Sequence, residues 1–195
     1  DMGKIILVGA TKGGVGKSLI ADEIAFSFER AGVKTSFYDL DAQGGTIHKT
    51  RTVEDAEIQV IDTPGALQKN LDAWLKGDEN GENGADIVII PTLTSSREIE
   101  PLIRMIKAVD RYPDIKTMIV VNGYDRFRLS RDFMSWLSKT VPNKQILTLP
   151  RYQDFAQAGC NGISVVEYAP KSKATKAIKV ITNAVKEAVG FETED

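Results

Sequence analysis

The stretch KIILVGATKGGVGKSLIADEIAFSF constrains this chain more than any other part of it. An apolar run over residues 4–10 leads into Gly13, Gly14 and Gly16, then Lys17 and Ser18, and then Ile20, Ile24, Phe28 and Ala31 at helical spacing. A strand that feeds a glycine-rich turn and then a helix aligns consecutive backbone N–H groups, and the helix N-terminus adds partial positive charge. Glycine permits the close approach and unusual dihedrals that a side chain would block. Such a loop is built to grip phosphates, with Lys17 reaching toward the β and γ positions and the Ser18 hydroxyl available to Mg²⁺. The spacing G-x-x-x-x-G-K-[ST] is met only if Ala10 or Thr11 replaces the first glycine, because Gly9 is one residue too early. A plain strand-to-helix turn is the competing reading, and the placement of the lysine argues against it.

The rest of the chain repeats the strand-helix pattern. KTSFYDL, EIQVIDTP, DIVIIPT, TMIVVNG and QILTLP are short, apolar and bounded by turn residues, as buried parallel strands are. A helix is expected over residues 18–31, stopped by Gly32, and another over residues 172–189, with Ala174, Ile178, Ile181 and Val185 inward and Lys173, Lys176, Lys179 and Lys186 on the opposite side. The alternation implies an α/β fold: a doubly wound, mostly parallel β-sheet flanked by helices in three layers. GDENGENG, residues 77–84, reads as a surface loop, and the final ETED as a frayed tail. At 195 residues, one domain spanning 1–195 is expected, with Met2 as the natural start and Asp1 as an addition.

A net charge of −2 gives no bulk attraction to nucleic acid, so any such binding must rest on a local basic face. Cys160, the lone cysteine, cannot form an intramolecular disulfide, and no secretory leader or long apolar span occurs, which implies a cytoplasmic protein. His48 lies in a polar stretch and reads as solvated.

TKGGVGKS places a second lysine, Lys12, ahead of the loop. KGGVGKS resembles the deviant Walker A motif of the ParA/MinD family of P-loop ATPases, which partition plasmids and chromosomes or position cell-division and other machinery. The resemblance implies that Lys12, Gly13, Gly14, Val15, Gly16, Lys17, Ser18 and Leu19 cradle ATP. It also implies that Lys12 crosses a dimer interface to the partner's ATP, so that nucleotide binding couples to a homodimer. A cation supplied in trans neutralises charge on a transferred phosphoryl group as an arginine finger does. A solvated surface lysine is the alternative.

YDLDAQGG resembles the family's first switch, with Ala42 where proline is usual. The match implies that Asp41 orients the attacking water, beside Lys12 and Lys17 as catalytic groups, and that Asp39 helps hold the magnesium shell; loop capping by aspartate is the bland reading of both. IQVIDTPG has the Walker B form, a hydrophobic strand ending in a carboxylate, so Asp62 joins Ser18 and Asp39 as an expected metal residue and residues 63–65 become the second switch. Only about twenty residues separate Asp41 from Asp62, fewer than most relatives have, which marks a compact variant.

VVNG and LPRYQDF resemble the family's adenine pocket, implying base contacts from Asn122, Pro150 and Arg151, although turn residues after strands would look alike. The lysine face of the last helix and Arg126, Arg128 and Arg131 are candidate contacts to DNA phosphates, or simply solvated charges. The resemblance as a whole implies an ATP- and Mg²⁺-dependent partition switch that binds nonspecific DNA as a dimer, meets a ParB-like centromere-binding protein, has no membrane partner, and is nucleoid-associated. The alternatives are a MinD-like positioning protein, a P-loop small-molecule ligase or kinase, and a nonhydrolysing adaptor. The unpaired Cys160 argues against the iron-sulfur relatives, which bridge a cluster across a dimer.

Overall fold

A computed structural model describes residues 3–10, 12–41, 44–64, 71–78 and 83–195. Six parallel strands form one sheet in the order β2-β3-β1-β4-β5-β6: β1 Lys4–Val8, β2 Thr35–Asp39, β3 Ile58–Asp62, β4 Ile87–Thr92, β5 Lys116–Asn122 and β6 Gln145–Leu149. Within β1, Ile6 and Val8 face one layer while Ile5 and Leu7 face the other, as the period of two demands. Both faces are therefore apolar. Pro91 falls two residues beyond Ile89, the last β4 partner of β1, where a strand tolerates a residue without an N–H.

The first face is covered by α1 (Lys17–Arg30) and α7 (Lys173–Ala188), whose Ile20, Ile24, Phe28, Ile178, Ile181 and Val185 pack on Ile6, Val8, Val60 and Ile89. The second face takes α2 (Leu71–Lys76), α3 (Ile99–Asp110) and α4 (Arg128–Thr140), with Leu102, Met105, Val109, Phe133 and Leu137 against Leu7, Val88 and Ile119. Each fully buried aliphatic side chain among these contributes roughly 1.5–3 kcal/mol. The short helices α5 (Gln153–Cys160) and α6 (Val165–Tyr168) follow β6 and close the first layer.

Both helices expected from the sequence lie within a residue of their predicted bounds. Gly32 ends α1 at φ 74°, and Ser172 caps α7 by accepting from the Thr175 amide at 3.1 Å. Residues 79–82 of the acidic loop lie outside the described residues.

Three surface expectations fail. The tail is held: Glu194 accepts from the Arg30 guanidinium at 2.6 Å, and its backbone exchanges hydrogen bonds with the Asn183 side chain at 2.8 and 2.9 Å. Lys186 belongs to no open lysine face, being 1% exposed, donating to the Ser27 carbonyl at 3.0 Å and lying 5.6 Å from the Phe28 ring centre. It follows the buried Thr175 and Thr182 around the flank of α7, and α1 and the returning tail close over that flank. His48, expected in solvent, is 9% exposed and clamped between two carboxylates.

In place of a long insertion between β2 and β3, the chain runs back along the sheet edge. Phe37 and Arg51 form an antiparallel bridge with N–H···O distances of 2.9 and 2.8 Å, and the Ser36 hydroxyl accepts from the Val53 amide at 2.8 Å.

Candidate functional site

The carboxyl ends of β1, β2 and β3 meet at the start of α1, the position where open α/β sheets present ligands. Gly14 and Gly16 adopt φ of 74° and 95°, which only glycine holds without strain. Gly16 also permits a close contact, since a Cβ there would lie 2.3 Å from Asn122 Nδ2. The helix that begins at Lys17 has no side-chain cap and no acidic residue in its first turn, so its leading N–H groups and dipole remain available to an anion. Gly13 and Gly14 are exposed, Val15 is buried beneath them, and Leu19 packs against the core.

Lys17 Nζ lies 3.2 Å from Asp41 Oδ2, and the Ser18 hydroxyl donates to Asp62 Oδ2 at 3.2 Å. Asp39 and Asp62 are register partners across β2 and β3, and Asp39 Oδ1 accepts from the Asp41 amide at 3.3 Å. The structure thus gathers the five polar residues that the two strands and the loop were expected to supply. Thr63 is buried, its hydroxyl donating to the Val8 carbonyl at 2.8 Å, whereas Thr11, Ala42, Gln43 and Gly65 lie outside the described residues.

Asp62 is fully buried, and its second oxygen, Oδ1, has no hydrogen-bond partner among the described residues. Burial pushes its carboxyl up to about 6, against the charge of Lys17 and the hydrogen bond from Ser18, which pull it down. An unpartnered anionic oxygen beside a serine hydroxyl suits a hard divalent cation or a water bound to one. Among the described residues no group of three His, Cys, Asp or Glu side chains forms a cation cage.

Lys12 lies 40% exposed at the edge of the loop and donates to the carboxylate of Glu98, itself 3% exposed. Sequence reasoning missed Glu98, which sits in a one-turn helix at Ser96–Glu98 before α3 and carries no motif of its own.

The three residues expected to contact a base divide. Asn122 is a strut: its amide donates to the Val15 carbonyl at 3.2 Å and its oxygen accepts from Gly123 at 3.0 Å, tying β5 to the phosphate loop. Pro150 and Arg151 line a neighbouring cleft of about 710 Å³ with Thr94, Tyr124, Arg126 and Arg131. Arg126 and Arg131 thus face this cleft, while Arg128 pairs with Asp132 at 3.4 Å on the open surface. No helix among the described residues is long and apolar enough to cross a membrane.

Comparison with known proteins agrees with the fold. A 59-residue segment, 30% of the chain, is 39% identical to the cytosolic Fe-S cluster assembly factor nubp2 of Danio rerio, and spans 22% of that protein. Over whole chains, an ATP complex of McdA from Cyanothece superposes with a TM-score of 0.79 at 15% identity, covering 100% of this chain and 99% of that one. MinD in the MinC:MinD cell division complex of Aquifex aeolicus gives 0.71 at 14% identity, covering 98% of each chain. A ParA family ATPase from Chlorobium tepidum TLS gives 0.67 at 15% identity, covering 91% and 96%. At those identities the likeness is one of fold. The profile of the CobQ/CobB/MinD/ParA nucleotide-binding domain matches residues 6–165, and the chain belongs to that family.

Proposed function

We propose that the chain, as a single P-loop domain over residues 1–195, is an ATP-dependent switch that dimerises with ATP, hydrolyses it slowly and releases. The observation that carries this reading is the convergence of Lys17, Ser18, Asp41 and Asp62 on an uncapped helix start, with Asp62 Oδ1 unpartnered. In it, the glycine loop holds the phosphates by backbone N–H groups, Lys17 exchanges Asp41 for phosphate oxygens, and Asp41 orients the attacking water. Ser18 and Asp62, with Asp39 behind them, would hold Mg²⁺, which when bound neutralises phosphate charge. Lys12 reaches the triphosphate of a second copy of the chain. Asn122 shapes the loop, and Pro150 and Arg151 border the base.

Plasmid or chromosome partition is the task we assign, with nonspecific DNA as the track and a ParB-like partner as the stimulator. Support comes from family membership and from the exposed Lys173 and Lys176 on α7. A MinD-like positioning role is the second reading, favoured by the fold shared with the MinC:MinD complex.

Light scattering of the purified chain with ADP, with ATP and with ATP plus DNA tests the proposal. A monomer with ADP, a dimer with ATP and a salt-sensitive DNA complex only with ATP are expected. A monomer under all three conditions refutes the switch, and an ATP dimer that ignores DNA but sediments with anionic liposomes favours the second reading.

A further inference from the structure

Both ring nitrogens of His48, on the segment that follows the loop carrying Asp41, are engaged by carboxylates. Its Nδ1 lies 2.7 Å from Asp22 Oδ1 and its Nε2 lies 2.8 Å from Glu29 Oε1. Two carboxylates accept at its two nitrogens, so both nitrogens carry hydrogen and the ring is an imidazolium. The ring stacks on Phe37 at 4.9 Å and tilts against Phe26 at 4.3 Å. Asp22 also accepts from the Ile47 and His48 amides at 2.8 and 3.0 Å, and the Thr46 hydroxyl donates to the His48 carbonyl at 2.8 Å.

The charged groups facing the ring come from two elements. Helix α1 supplies Asp22 and Glu29, and the edge segment supplies Arg51, which donates to the same Glu29 oxygen at 3.2 Å. Strand β2 contributes only the apolar Phe37.

The place of this clamp gives it a consequence for the site. Asp22 and Glu29 stand one and three turns along the helix whose first turn carries Lys17 and Ser18. Upstream of His48, Gly45 lies so close to Ser18 that a Cβ there would be 2.9 Å from the serine hydroxyl, and Gly44 donates to the Asp41 carbonyl at 3.1 Å. The segment from Gly44 on is therefore laid over Ser18 at Gly45 and fastened to α1 at residues 47 and 48.

We propose that His48 is a positioning residue for the nucleotide site: by bridging Asp22 and Glu29 it fixes residues 44–48 against Ser18 and, through the hydrogen bond from Gly44 to the Asp41 carbonyl, sets where Asp41 stands relative to Lys17. This rests on the ATPase reading for its effect on turnover. A cation with donors at opposite ends of a rigid ring is what two separated carboxylates require; glutamine donates from one end only, and a neutral imidazole satisfies one carboxylate and leaves the other facing a lone pair.

The test compares wild type, His48→Gln and Glu29→Gln, with folding checked by circular dichroism. Hydrogen exchange over residues 44–49 is followed with and without Mg-ATP, together with turnover and the affinity for a fluorescent ADP. In His48→Gln, segment protection is expected to fall at least tenfold, its ATP-induced increase to vanish, and kcat to drop about tenfold while ADP affinity stays within threefold. Raising the pH from 7 to 9.5 leaves about a quarter of an imidazole titrating near 9 protonated, so it lowers protection, corrected for intrinsic exchange, and kcat about fourfold in wild type and adds little to the variant. Glu29→Gln, altered at a partly exposed carboxylate, shows the same changes at smaller size and stands in if His48→Gln does not fold. Protection and kcat within twofold of wild type in a folded variant overturn the proposal, as does a proportional loss of kcat and ADP affinity. A wild type that binds ATP without hydrolysing it refutes the ATPase reading alone, and the ATP-induced protection then decides the role of His48.

Discussion

Lys12 and Glu98 form an ion pair within one chain, with the lysine at the rim of the phosphate loop and the carboxylate almost wholly buried. If Lys12 serves the nucleotide of a second copy, it must first leave Glu98, so the pair competes with dimerisation. Glu98→Gln weakens that competitor, and the ATP concentration for half-maximal dimerisation is expected to fall roughly fivefold as the binding-competent fraction grows. Lys12→Ala abolishes ATP-dependent dimerisation while leaving ADP binding within a few-fold. Analytical ultracentrifugation across an ATP titration checks both.

Gly16→Ala places a methyl group where Asn122 Nδ2 stands, at a φ of 95° that alanine resists. The backbone strain alone is of order 1–3 kcal/mol. Nucleotide binding is expected to weaken at least a hundredfold, read by fluorescence titration. Asn122→Ala in the same background restores only part of it, because the clash is relieved and the strain is not.

Asp62→Asn separates stability from function. The native carboxylate is buried with one oxygen unpaired among the described residues, so its removal stabilises the nucleotide-free protein by roughly 1–3 kcal/mol and raises its melting temperature. The same change removes the Mg²⁺-dependent part of ATP affinity. Calorimetric melts with and without Mg-ATP show the two effects with opposite signs.

On α7, Lys173 and Lys176 are exposed and Lys186 is buried. Alanine at both exposed positions weakens DNA binding by the ATP dimer and lowers its salt slope by about one for each phosphate no longer neutralised. Lys186→Ala instead costs roughly 2–4 kcal/mol of stability by leaving a cavity and an unpaired Ser27 carbonyl. A salt titration and a urea melt tell the two classes apart.

The clamp at His48 gives stability a definite pH dependence. Burial alone would lower the imidazole, but its hydrogen bonds to Asp22 and Glu29 outweigh that and raise it from 6.5 to about 9. The folded state therefore holds a proton that the unfolded chain releases above 6.5. Its contribution, about 3 kcal/mol, is whole below pH 6.5 and is lost as the pH rises through 9. Urea unfolding from pH 6 to 10 follows the decline, which His48→Gln flattens.

The phosphate loop and both acidic strand ends were legible because their chemistry is written in contiguous residues: a glycine loop needs eight neighbours, and a strand ending in aspartate needs six. His48 was not, since Asp22 and Glu29 lie 26 and 19 positions away and only the folded edge segment brings them together. Lys186 looked solvated because its α7 spacing places it off the apolar stripe; α1 and the returning tail bury that flank, and the tail itself binds across 164 residues. Asn122 was expected to contact a base; the hydrogen bond that ties it to the loop, to the carbonyl of Val15, joins positions 107 apart and leaves no local trace.

The bridge between Phe37 and Arg51 occupies the outward amide and carbonyl at the middle of β2. A naked outer strand invites foreign chains to add themselves in register, the commonest route from a soluble sheet to a fibre. Here that border is sealed by the chain's own return, so the middle of β2 keeps no free backbone pair to offer a second copy.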